Sequence, residues 1–129
     1  MLKVLPIQSK DLQKEICGRC DVVYNADLLA YAAYDDDTLL GVCQFRLCAE
    51  GGIVYDLSPA VGTDHFEGLF IMGRGTLNFM DLCGAPVAFY RGALTNERLL
   101  NAIGFSKNEK GEYAVCLEGL FTGHHHENP

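Results

Sequence analysis

The stretch from about Asp64 to Cys83 constrains the fold more than any other part of the chain. Phe66, Leu69, Phe70, Gly73, Leu77 and Met80 recur there at i, i+3, i+4, i+7, i+11 and i+14. That spacing is one face of a helix. Ile53 to Leu57 before it and Pro86 to Tyr90 after it read as strands, with Ser58-Pro59 ending the first and Gly84 ending the helix. Strand, helix and strand in succession form a right-handed crossover, so the two strands are expected to be parallel. Gly68, Gly73 and Gly75 each weaken the helix by about 1 kcal/mol relative to alanine. They mark either close packing on a sheet or a kink.

The elements around this crossover pair differently. Leu2 to Ile7 reads as a strand, and Ser9 caps a helix carrying Leu12, Ile16 and Cys20 at helical spacing, shortened or broken by Gly18. Asp21 to Asp27 is a loop or a short helical turn. Leu28 to Tyr34, the turn Asp35-Asp36-Asp37 and Thr38 to Cys48 form a hairpin, and Glu50-Gly51-Gly52 turns the chain into the strand at Ile53. Thr95 or Asn96 caps a short helix ending at Gly104, and Glu112 to Leu120 is a closing strand. The expected fold class is therefore α+β, with a mixed, mostly antiparallel central sheet and helices on both faces. Residues 1–121 are expected to form a single domain, followed by a flexible His-containing tail at 122–129.

Bulk properties narrow the function classes. The chain has 129 residues and a net charge of −7. So acidic a chain gains no counterion release on a phosphate backbone, which argues against a nucleic-acid partner, and a cationic amine suits its long-range field better. There is no apolar run of membrane-spanning length and no signal-peptide pattern, so the expectation is a soluble, cytoplasmic protein with no membrane partner. Its six cysteines are then reduced thiols, most of them buried small hydrophobes. Cys17 and Cys20 form a C-x-x-C with no second pair, His124 to His126 have no fixed geometry, and Asp35 to Asp37 lack further loop ligands. No metal site is expected.

The order β-α-β-β-β-α-β-α-β, with antiparallel hairpins followed by one parallel crossover, resembles the GNAT N-acetyltransferase superfamily over nearly the whole chain. The segment Asn96-Glu97-Arg98-Leu99-Leu100-Asn101-Ala102-Ile103-Gly104-Phe105 looks like that family's short helix ending in Gly-Phe. The resemblance implies a GNAT-like acyl-CoA N-acyltransferase fold, with acetyl-CoA as co-substrate held where the strands at Ile53 and Pro86 splay apart. The pyrophosphate would sit on the following loop and first helical turn, where free N–H groups and the helix dipole favour an anion. The family writes that loop as Gln or Arg, two residues, Gly, one residue, then Gly or Ala. The matching stretch here is Pro59-Ala60-Val61-Gly62-Thr63-Asp64, which keeps Gly62.

On that resemblance, backbone groups of Leu57, Val61, Gly62 and Thr63 would hold the cofactor. A protonated His65 would help, and Asn96 would touch the pantetheine arm or the adenylate side. Asp64 either faces the anion or caps the helix with its own carboxylate. Acyl transfer also needs a base for the amine and a route to protonate the thiolate. Asp56 is the candidate base, alternating with Tyr55 and Leu57 on the strand that would face the acyl group; it also reads as an ordinary strand carboxylate. Tyr90, ending the facing strand, is the candidate proton donor; it also reads as an aromatic core residue. Leu100 stands where many members carry a catalytic tyrosine. The implied activity is acyl transfer, expected to be acetyl, to a small-molecule or peptide amine by direct attack on the thioester. The alternative is a catalytically degenerate GNAT-like binding or interaction domain. An open sheet edge beside the last strand would permit a homodimer.

Overall fold

The computed structural model describes residues 1–93 and 96–121; Thr95 and the tail at 122–129 lie outside them. The described residues form β1 (Leu2–Pro6), α1 (Lys10–Arg19), β2 (Leu29–Asp35), β3 (Thr38–Cys48), β4 (Gly51–Val54), β5 (Ser58–Pro59), α2 (Phe66–Leu82), β6 (Val87–Tyr90), α3 (Glu97–Ile103), β7 (Ser106–Lys107) and β8 (Tyr113–Cys116). One mixed sheet runs β1-β2-β3-β4-β6-β8-β7, and β5 pairs with β3. All neighbours are antiparallel except β4 and β6, which are parallel as the crossover requires.

Helices cover both faces. On one side α1 packs Ile16, Cys17 and Cys20 against Ala30, Ala32, Leu39 and Val42. On the other, Leu69, Met72, Leu77 and Met80 of α2 and Leu99, Leu100 and Ile103 of α3 pack on Ala33, Leu40, Cys43 and Phe45. Each such side chain taken from water contributes about 2 kcal/mol. α1 runs unbroken through Gly18, with Ser9 accepting from the Leu12 N–H at 3.2 Å. α2 is likewise a single helix, and two of its three glycines, Gly68 and Gly73, mark close packing. A Cβ at Gly68 would lie 2.5 Å from Leu40 Cδ1, and one at Gly73 would lie 2.4 Å from Ile103 Cδ1.

Three expectations about the strands are corrected. The strand expected at Ile53 to Leu57 stops at Val54, and Ser58-Pro59, expected only to end it, forms β5 against β3. Proline is tolerated at Pro59 because the ladder takes its next donor from Ala60, whose N–H meets the Leu40 carbonyl at 2.9 Å. The closing strand spans only Tyr113–Cys116; Leu117 begins a turn, bonded to the Leu120 N–H at 3.0 Å. The edge beside that strand is also not fully open, because β7 pairs with it at Ala114 and Tyr113.

Candidate functional site

The site begins with a mismatch between β3 and the chain opposite it. Phe45 pairs with Val54, and Val42 pairs with Ser58. The opposing chain therefore takes one residue more than β3 to cover the same span, which is a β-bulge. The Tyr55 N–H still reaches the Gln44 carbonyl at 2.8 Å. Among the described residues, no acceptor meets the N–H groups of Asp56 and Leu57.

The bulge also parts two strands. β4 and β6 pair as far as Val54 and Tyr90, and the Arg91 N–H donates to the Val54 carbonyl at 2.9 Å. Beyond that point one chain follows β3 into β5 while the other turns away. Between them and the end of α1 lies an open cleft of about 530 Å³, lined among others by Cys20, Asp21, Tyr55, Asp56, Gly62 and Tyr90. Neither lysine nor arginine is among the described residues that line it.

Asp56 and Tyr90 are brought together in this cleft. Asp56 is half-buried, and its Oδ2 accepts from Gln44 Nε2 at 2.7 Å. Burial raises its carboxyl above the ordinary value, and the Gln44 hydrogen bond pulls the other way. Tyr90 is buried and its hydroxyl donates to the Ala93 carbonyl. Burial, then Asp56 and Cys43, push the phenol up to about 12. A thiolate whose acid titrates near about 8.5 cannot readily take that proton. Tyr90 is thus better suited to donating a hydrogen bond than to giving up its proton.

The loop expected to hold the cofactor divides into used and free donors. The Val61 N–H goes to the Arg19 carbonyl and the Thr63 N–H to the Ala60 carbonyl, both at 2.9 Å. These two N–H groups are engaged within the fold. Leu57 and Gly62 keep their N–H groups free of any acceptor among the described residues. Gly62 has φ 82°, a left-handed conformation that favours glycine.

At the start of α2 the cap is His65. Its Nδ1 accepts from the Gly68 N–H at 3.0 Å, so in this arrangement that nitrogen carries no proton. The expected protonated His65 would lose this bond. Asp64 is exposed and accepts from no helix N–H among the described residues, so it neither caps α2 nor fills its anion-binding end. Asn96 caps α3 through the Leu99 N–H at 3.0 Å and does not line the cleft. Arg98, which the sequence reading left aside, reaches from α3 across the Phe66 ring, 4.3 Å from its centroid. It brings a guanidinium to the first turn of α2.

Gln44, Gln13 and Lys10 were missed as well. Gln44 sits in a run whose neighbours, Leu39 to Phe45, are buried on both faces of the sheet. A polar residue in such a run must find buried partners, and that was the available signal.

No protein-family model and no curated protein matches the sequence. Solved structures do match the arrangement. The ribosomal-protein-S18-alanine N-acetyltransferase from Escherichia coli superposes with a TM-score of 0.68 at 9% identity, covering 91% of this chain and 94% of that one. The chain has the GNAT N-acetyltransferase fold. An N-acetyltransferase from Staphylococcus aureus Mu50 gives 0.66 at 10% identity, covering 92% and 99% of the two chains. The PaiA N-acetyltransferase from Thermoplasma acidophilum, solved in complex with coenzyme A, gives 0.64 at 11% identity, covering 90% and 99%. The resemblance read from the element order is borne out at the level of the GNAT fold.

Proposed function

We propose that this protein is an acyl-CoA-dependent N-acyltransferase, with acetyl-CoA as donor and a small-molecule or peptide amine as acceptor. The observation that carries the reading is the parted pair β4 and β6, with Asp56 at the bulge and free N–H groups lining the gap. A likeness to N-acetyltransferases, one of them solved with coenzyme A, agrees with it.

The residues fit the group they would hold. The Leu57 and Gly62 N–H groups and the first turn of α2 offer donors to an anionic cofactor, and Arg98 adds positive charge nearby. Acyl-CoA supplies an acyl group on a thiolate leaving group. The amine nitrogen attacks the thioester carbonyl carbon, a C–N bond forms and the C–S bond breaks. Asp56 takes the proton that the amine loses, and solvent protonates the departing thiolate. With Asp21 and Asp56 and, among the described residues, no lysine or arginine lining the cleft, the wall favours an acceptor that arrives as an ammonium ion and gives one proton to solvent before its nitrogen attacks, the second going to Asp56.

A second reading, a domain that binds without turnover, is favoured by one observation. With Pro59 in the place where the family carries Gln or Arg, no basic side chain lines the cleft among the described residues.

Calorimetry with acetyl-CoA, desulfo-CoA and ADP separates the two. Micromolar binding of acetyl-CoA is expected, followed by turnover on an amine panel that falls at least about 100-fold in Asp56→Ala. Absence of binding at millimolar acetyl-CoA would sink the acyltransferase reading.

A further inference from the structure

The hydrogen bonds behind Asp56 all run one way. Lys10 Nζ donates to Gln13 Oε1 at 3.1 Å, Gln13 Nε2 to Gln44 Oε1 at 3.0 Å, and Gln44 Nε2 to Asp56 Oδ2 at 2.7 Å. A cation stands at the donor end, a carboxylate at the acceptor end, and two amides point head to tail between them. We propose that Lys10, Gln13 and Gln44 are positioning residues, a relay running from the exposed Lys10 through two buried amides that holds the Asp56 carboxylate toward the cleft in its charged form. The task given to Asp56 rests on the acyltransferase reading; the relay does not.

The amide orientations are fixed by their other partners. Gln44 Nε2 also donates to the Val23 carbonyl at 2.8 Å, and Gln44 Oε1 also accepts from the Asn25 N–H at 3.2 Å. Turning this amide over would set its oxygen against a carbonyl and a carboxylate, and its NH2 against an N–H. Gln13 Nε2 faces the Leu28 and Asn25 carbonyls at 3.3 and 3.4 Å, so it cannot turn over either. Both glutamines are 1% exposed. Apolar residues of similar size would fill such a place without needing partners. A buried polar network in which every group is satisfied instead specifies one arrangement.

Among the described residues, Gln44 is the group that supports the Asp56 charge. The groups that feel the Asp56 charge are Cys17 on α1, Cys20 at its C-cap, Cys43 on β3 and Tyr90 on β6. Burial is the main cause that pushes these groups up, to about 11 for Cys17 and about 12 for the other three, so all are neutral at pH 7. Arg19 acts on Cys20, and Asp21 lies on the cleft wall with the same sign as Asp56. Among the described residues Lys10 has no carboxylate partner; its other bond is to the Leu28 carbonyl at 2.6 Å. The same Gln44 amide also pins the loop at Val23 and Asn25 that continues from the cleft wall at Asp21 and Val22.

The test is a carbon-13 NMR titration of the Asp56 carboxyl in the full chain, assigned by the signal lost in Asp56→Asn. The midpoint should rise by about one pH unit in Gln44→Met and by about half a unit in Lys10→Met, and return toward wild type in Lys10→Arg. An unchanged midpoint in Lys10→Met overturns the relay. If Gln44→Met fails to fold, the two variants of the exposed Lys10 decide alone. The titration needs no cofactor. A wild type that binds no acetyl-CoA yet shows the shifted midpoints would therefore support the relay while removing the acyltransferase reading.

Discussion

Gly73→Ala sets two effects of opposite sign against each other in the middle of α2. A helix gains about 1 kcal/mol when alanine replaces glycine. The added methyl would lie 2.4 Å from Ile103 Cδ1, 3.0 Å from Cγ1 and 3.4 Å from Cγ2. Ile103 is fully buried in the α2–α3 contact, so its side chain has little room to retreat. Overpacking of this kind costs about 1–3 kcal/mol. Three close contacts on one immobile side chain place it in the upper half of that range. The net expectation is a loss of about 1–2 kcal/mol, a fall in Tm of roughly 4–8 °C for a chain of this size. Gly75→Ala is the matched control, because its nearest neighbour would be Val4 Cγ1 at an ordinary 3.9 Å. It should gain about 1 kcal/mol and roughly 4 °C. Ile103→Val, which deletes the clashing Cδ1, should cost about 1 kcal/mol alone and little or nothing in the Gly73→Ala background. Urea denaturation of the four variants completes the cycle. Equal gains for Gly73→Ala and Gly75→Ala would refute the close-packing argument.

Two further outcomes follow from the site. Burial raises the folded-state Asp56 carboxyl above its ordinary 3.8, so its contribution to stability is fully present below that value and is lost as pH rises through the folded one. Asp56→Asn should therefore gain on wild type as pH climbs from about 4, then hold a constant lead; a difference in urea midpoint that does not change with pH would contradict this. His65→Ala removes the α2 cap and should cost about 1 kcal/mol, while His65→Asp keeps most of it; thermal melts in which both variants match wild type would remove the capping role.

What the sequence revealed depended on whether the cause was local. The Asp35 to Asp37 turn and the runs beside it specify the β2–β3 hairpin through neighbouring residues alone. The helical face from Phe66 to Met80 specifies α2 in the same way. Asp56 and Tyr90 were legible because both lie next to strand ends. By contrast β5 and β7 have two residues each, too few for any period to show. The bulge depends on the register against β3, and no feature of Tyr55 to Leu57 alone announces it. The choice of His65 over Asp64 as cap turned on where the first helical turn begins. The relay joins α1, β3 and the bulge across the sheet, so its members were separated by the whole hairpin.

The bulge has a genetic side. One extra residue between Val54 and Ser58 separates this cleft from a ladder that would run on against β3. Three nucleotides of coding sequence encode that residue. An in-frame loss there is the shortest route from a sheet with a cleft to a continuous sheet, and it requires no change of side chain elsewhere. In this protein the cleft is written less in which residues are present than in how many stand between two fixed pairings.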